Sequence, residues 1–229
     1  MGGLMERIGE SVKGRALAAG LDPSEDELRK FVLRRFAETG LAPSLREIGD
    51  TTGFPTEFVK RTLDKFERAD ILTRTDGEIV SSYPFSALKT RHRVVFVDGR
   101  SVYALCATDA LGISFMLNEP TTLLSRCPWC EGEMEVTVKN GKIASRKPEG
   151  MLEFVSERER CGRTAETCCP YINFFCSVEH LEKWRECNSE FTRGETYSLD
   201  EVLRHGEMIF KDLLGQFEDI LTRKSTRSP

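Results

Sequence analysis

All eight cysteines of this 229-residue chain lie between Cys106 and Cys187, and nothing before Cys106 carries a thiol. That confinement restricts the possible folds and functions more than any other feature. In an oxidising compartment such thiols form a disulfide framework; in a reducing one they serve as metal ligands or reactive groups. The opening residues, Met1-Gly2-Gly3-Leu4-Met5-Glu6, lack the basic-then-apolar pattern of a secretory signal. Gly2 does not open a myristoylation motif, because Glu6 stands where Ser or Thr is needed. No apolar run has the length of a membrane span. The expected location is therefore the cytoplasm, with no membrane partner and with reduced thiols. The cysteine asymmetry also points to two parts with different jobs.

The chain is long enough for one large domain or two small ones, and 39% apolar with 31% charged residues suits a soluble protein with a real core. Residues 1–24 are Gly-rich and read at most as a loose helix. From Glu25 the spacing of Leu28, Phe31, Val32 and Phe36 predicts a helix ending at Gly40. Ser44 and Glu47 form a capping-box pattern for a second helix, and a third is expected from Thr56 to Ala69 with Phe58, Leu63 and Phe66 inward. Ile71 to Val80 reads as a hairpin turning at Asp76-Gly77. Three helices and a hairpin give the order of a winged helix-turn-helix module, residues 1–82. After a linker over 81–86, hairpins are expected around Asp98-Gly99 and Asn140-Gly141, with a helix over 107–117 between them. Residues 146–168 read as a polar loop. Tyr171–Phe175 reads as a strand, Ser177 as the cap of a helix through Leu181 and Trp184, and Leu199–Leu221 as a C-terminal helix. The tail after Arg223 is polar and expected to lack structure. The fold class is α+β.

Two cysteine constellations stand out. Cys106 and Asp109 are three apart at a strand-to-helix junction, where a thiolate is stabilised by the helix dipole and the acid faces the same way. Taken alone, this pair also suits a buried thiol and a capping acid. Cys168 and Cys169 are adjacent, so one can face a site while the other points away. The second constellation is Cys127-Pro-Trp-Cys130 followed by a hairpin, then Cys176 and His180 at a strand-to-helix junction. Two such knuckles hold tetrahedral zinc, and their order is that of a treble clef. A redox dithiol is disfavoured because no thioredoxin-like βαβ context surrounds Cys127 and Cys130.

From about Tyr83 to Trp184 the sequence resembles the alkylmercury lyase (organomercurial lyase) family. Val102-Tyr-Ala-Leu-Cys106-Ala-Thr-Asp109 resembles its first catalytic motif, and Cys169-Pro-Tyr-Ile-Asn-Phe174-Phe175 fits the second, whose cysteine precedes a Phe pair by five residues. The resemblance implies a lyase domain over 83–229, built on a treble-clef-like hairpin and helix core, with Cys106, Asp109 and Cys169 catalytic. It implies protonolysis of a carbon–mercury bond, giving a hydrocarbon and Hg(II). Mercury is soft and prefers thiolate sulfur; Cys106 and Cys169 would hold it while Asp109 moves the proton. No organic cofactor is expected. The small-molecule partner would be an organomercurial, and small thiols or a mercuric reductase would accept the Hg(II). The chain departs from the family's better-known pattern in carrying a complete knuckle set, Cys127, Cys130, Cys176 and His180, suited to structural zinc.

Two other functions fit parts of the sequence. One is a metal-responsive DNA-binding regulator, suggested by the winged-helix order. Its recognition helix would carry Lys60, Arg61, Lys65 and Arg68 against Glu57, Asp64 and Glu67, a near balance unsuited to phosphate contacts. The net charge of -4 likewise gives no general attraction to nucleic acid. The other is an inactive relative that sequesters metal.

Overall fold

Two of the N-terminal helices begin at side-chain caps. The computed structural model describes residues 14–156, 163–191 and 193–215. Helix α1 (Pro23–Thr39) opens with a reciprocal capping box between Asp22 and Glu25 and closes at Gly40 in the left-handed region. Ser44 accepts from the Glu47 amide to start α2 (Leu45–Thr52), and α3 spans Thr56–Arg68. Leu28, Val32, Phe36, Ile48, Val59, Leu63 and Phe66 are all fully or almost fully buried. The three apolar stripes therefore make one core. Strands β1 (Leu72–Thr75) and β2 (Glu78–Ser82) turn at Asp76 and Gly77, both at positive φ, the two-residue geometry that matches strand twist.

This hairpin continues directly into the larger sheet. Ser82 pairs with Phe85 of β3 (Phe85–Ser86), and β3 pairs with β5 (Ser101–Ala104). With β4 (His92–Phe96), β6 (Thr121–Arg126), β7 (Glu133–Lys139) and β8 (Lys142–Lys147), an eight-stranded sheet forms in the order β1-β2-β3-β5-β4-β6-β7-β8. Every neighbouring pair in it is antiparallel. Residues 81–86, expected as a linker, are thus the end of β2 and all of β3, joined by a turn at Tyr83-Pro84. Their polarity misleads because the hydroxyls are satisfied internally: Ser81 with Thr73 at 2.7 Å and Ser86 with the Leu88 carbonyl at 2.8 Å. Tyr83 and Phe85 fill the core between them.

Helix α4 (Ala107–Leu117) is apolar on nearly every side and almost wholly buried, as a helix packed from several directions must be. Helix α7 (Leu199–Phe210) crosses it at two glycines. A Cβ on Gly112 would lie 2.1 Å from the Phe210 ring, and one on Gly206 2.9 Å from the Gly112 nitrogen.

The expected loop over 146–168 is corrected by β9 (Leu152–Ser156), whose five residues are all buried. It is the central strand of a second antiparallel sheet between β10 (Ile172–Phe175) and β11 (Gly194–Ser198). A strand covered on both faces shows no alternation, and Glu153 disguises the apolar run. A short helix α5 (Thr164–Thr167) and a 3-10 turn, Cys169–Tyr171, precede β10; α6 (Val178–Cys187) follows it, capped by Ser177. The C-terminal helix ends at Phe210, not 221, and Asp212 at φ 64° turns the chain. Residues beyond 215, including Phe217 and the tail after Arg223, lie outside the described residues. The N-terminal loose helix is described only from residue 14, and 14–18 are helical.

Candidate functional site: a buried thiol–carboxyl cluster

Strand β5 delivers Cys106 to the N-cap of α4. Its sulfur accepts the Asp109 amide at 3.4 Å. One turn into the helix, the Asp109 carboxyl faces the same way. The 3-10 turn brings in Cys169, whose thiol lies 3.9 Å from Asp109 Oδ2. One ligand atom from each of Cys106, Asp109 and Cys169 lies within 4.8 Å of the other two, and all three residues are buried. The cluster holds Cys169 and not Cys168.

Burial controls the protonation of this site. The Asp109 carboxyl is pushed from 3.8 up to about 7 by desolvation, with the Cys106 thiol, Arg15 and Cys169 holding it back. Cys106 is raised well above an ordinary thiol by burial, by its hydrogen bond with Cys169 and by the adjacent Asp109. For Cys169 the Cys106 hydrogen bond acts to lower it, but burial and the Asp109 charge outweigh that and the net direction is up. At neutral pH both thiols keep their protons, and the carboxyl is poised to gain or lose one.

Other groups at this site escaped the sequence reading. Glu153 on β9 accepts the Thr108 hydroxyl at 2.7 Å, while its second oxygen is buried with no hydrogen-bond partner among the described residues. Burial raises this carboxyl to about 8, against the Thr108 hydrogen bond and assisted by Asp109. The Tyr83 hydroxyl is likewise buried with no hydrogen-bond partner among the described residues, and its ring lies under the Arg15 guanidinium, 5.0 Å from the centroid. Burial and then the charges of Cys169 and Asp70 raise the Tyr83 phenol. The one available signal for Glu153 was a single acid inside Met151-Leu152-Glu153-Phe154-Val155. Nothing local marked Arg15, Asp70 or Tyr83.

The segment leading to Cys169 is held by the N-terminal helices. Asp70 accepts from the Thr164 amide at 3.1 Å and its hydroxyl at 2.6 Å, and Asp70 also pairs with Arg15. Arg163 pairs with Glu67 of α3 at 2.7 Å. Cys169 also borders a cleft of about 520 Å³, whose lining includes Ser86, His92, Leu105 and Asn173. Burial lowers the His92 imidazole to about 4, so it is neutral there, and its Nδ1 lies 3.1 Å from the Ser125 hydroxyl.

The second sequence cluster also assembles. Cys127, Cys130, Cys176 and His180 each place a ligand atom within 4.8 Å of the others. It is separate from the first cluster in its residues and more exposed, with Cys130 at the surface and Cys176 and His180 half-buried. Among the described residues, all seven cysteines are free thiols, and no helix is long and apolar enough to cross a membrane.

Known proteins share this arrangement of the chain. The family model for alkylmercury lyases, MerB, matches residues 85–211. An alkylmercury lyase of Staphylococcus epidermidis is 25% identical over 182 residues, covering 80% of this chain and 82% of the relative. One from Bacillus cereus is 22% identical over 170 residues, covering 74% and 75%. Among solved structures, the mercury-bound form of MerB2 aligns with a TM-score of 0.73 at 26% identity, over 90% of this chain and 99% of that one. The matched segment exceeds half of the sequence and contains Cys106, Asp109 and Cys169, and this chain belongs to the alkylmercury lyase family.

Proposed function

We propose that this protein cleaves carbon–mercury bonds by protonolysis, with Cys106, Cys169 and Asp109 as the reacting groups. The observation that carries the proposal is the convergence of two buried thiols on one carboxyl poised near neutrality. An organomercurial R–Hg–X enters past Cys169 from the adjoining cleft. One thiol displaces X, and its proton leaves with X. The second thiol passes its proton to Asp109 as its sulfur binds mercury. Two thiolates raise the electron density on the metal and weaken its bond to carbon. The electron pair of the carbon–mercury bond then takes the proton from Asp109, so a C–H bond forms as the C–Hg bond breaks. Mercury stays Hg(II) throughout, held by two sulfurs, and the balance needs no redox or nucleotide cofactor. Small thiols or a mercuric reductase would accept the ion, in a reducing cytoplasm. The test is incubation of reduced protein with phenylmercury and detection of benzene. Benzene release at the buffer rate would reject the proposal.

We read residues 1–82 as a winged-helix-like module whose work is structural and which does not bind nucleic acid. Three of the four cations on its third helix have partners within the module. Lys65 pairs with Glu25, Lys60 lies 3.6 Å from Glu57, and Arg61 stacks over Phe58. Such a face offers little to a phosphate backbone. The module instead holds the 163–164 segment ahead of Cys169.

A further inference from the structure

We propose that Cys127, Cys130, Cys176 and His180 form a structural zinc site, separate from the thiol–carboxyl cluster and independent of the lyase reading. The donors come from two distant parts of the chain. Cys127 and Cys130 lie on the turn between β6 and β7. Cys176 follows β10, and His180 stands in the first turn of α6. Both turns are shaped to present their donors. The Cys127 amide donates to the Gly132 carbonyl at 3.1 Å, and the Glu131 amide to the Cys127 carbonyl at 2.9 Å. The Gly132 amide donates to Cys130 Sγ at 3.3 Å. Gly132 leaves room for the approach, since a Cβ there would lie a tight 3.0 Å from Cys130 Sγ, and 3.8 Å from Cys176 Sγ. On the other side, Ser177 accepts from the His180 amide at 3.3 Å and fixes the start of α6.

The spacing matches a metal-centred tetrahedron. Zinc–sulfur bonds of about 2.3 Å imply ligand–ligand edges of about 3.8 Å. Here Cys130 and Cys176 sulfurs are 3.6 Å apart, and Cys127 Sγ lies 3.8 Å from His180 Nδ1. A disulfide between Cys130 and Cys176 would need about 2.05 Å and would leave the convergence of Cys127 and His180 unexplained. Three thiolates and one imidazole are a soft, nitrogen-tolerant donor set suited to zinc. Four protein ligands fill the shell and leave no position for water or substrate, so the ion is structural. It ties the β6–β7 turn to the β10–α6 junction. Strand β10 runs from that junction back to the turn bearing Cys169.

The test is elemental analysis of the full chain, purified reduced and without chelators, together with thermal unfolding. Wild type should carry about one zinc per chain. Cys130→Ser and His180→Ala should lose it, whereas Cys187→Ser and the double variant Cys106→Ser/Cys169→Ser should keep it. Cobalt substitution should give a tetrahedral spectrum with thiolate charge-transfer bands. If the ligand variants do not fold, chelation of wild type supplies the decision: metal removal should lower Tm by several degrees and added zinc should restore it. Reduced protein that neither contains nor takes up zinc would overturn the site. So would zinc lost with the Cys106/Cys169 pair instead of with Cys130 and His180. Zinc whose removal leaves Tm unchanged would overturn its structural role.

Discussion

Glu153→Gln isolates the electrostatic character of the buried site without emptying it. Glutamine keeps the carbonyl that accepts the Thr108 hydroxyl but cannot ionise. In the wild type, burial raises the Glu153 carboxyl from 4.5 to about 8. Between those values the folded chain holds a proton that the unfolded chain has released. The stability from this group is therefore full below pH 4.5 and lost as pH rises toward 8. Each pH unit of such a mismatch is worth about 1.4 kcal/mol. Integrated from pH 6 to 8 and allowing for partial ionisation near the upper limit, the loss is about 2 kcal/mol. Asp109, raised from 3.8 to about 7, adds its own loss in the same direction, but that contribution is present in both proteins. Urea unfolding at pH 6 and pH 8 with a phosphine reductant gives the comparison. Wild type should lose about 2 kcal/mol more than Glu153→Gln across this interval. Parallel pH dependence in the two proteins would refute the argument that Glu153 is a neutral, desolvated acid.

Cys169→Ser should reduce benzene release from phenylmercury to background, while Cys168→Ser should stay within a few-fold of wild type; equal activities would reject the choice of Cys169. If the proposed roles hold, Asp109→Asn should keep both thiols of the cluster yet slow turnover by roughly 10²–10⁴-fold, the usual worth of a positioned proton carrier. Retained stoichiometric capture of phenylmercury by that variant, read by mass spectrometry, separates proton delivery from binding. Asp70→Ala removes the acceptor for both Thr164 donors and should cost about 1–3 kcal/mol in urea unfolding. Anisotropy titration with random duplex DNA at low salt should show no submicromolar binding; salt-sensitive, sequence-selective binding would restore the regulator reading.

The legible parts of the fold were those encoded by local chemistry. Asp76-Gly77 and Asn140-Gly141 adopt positive φ, so their turns follow from the dipeptides. Ser44 and Ser177 accept the amides expected of helix caps. The short motif around Cys106 and Asp109 could be read because β5 hands the thiol directly to the first turn of α4. What stayed hidden depends on distant partners. Strand β9 has neighbours on both sides and protein on both faces, so its residues show neither alternation nor turn punctuation. Ser81, Ser82 and Ser86 read as a linker until Thr73 and the Leu88 carbonyl satisfy two of their hydroxyls. Glu153 becomes intelligible only when β9 is laid beside Thr108.

These long-range contacts also bear on what the N-terminal helices are for. A DNA-binding wing needs a free face and mobile cations, but here the hairpin β1–β2 forms one edge of the eight-stranded sheet that also holds β4 to β8. Arg15 and Asp70 meet at Thr164, and Glu67 meets Arg163. All three contacts fall just ahead of the turn that supplies Cys169. The Arg15 charge also favours the ionised forms of both Asp109 and Cys169, against their burial. Removing the N-terminal helices would therefore free one thiol of the cluster and withdraw a stabilising cation from its carboxyl. The cysteine-free N-terminal part thus packs directly onto the segment that leads to Cys169, so the two parts are joined in structure at the buried cluster.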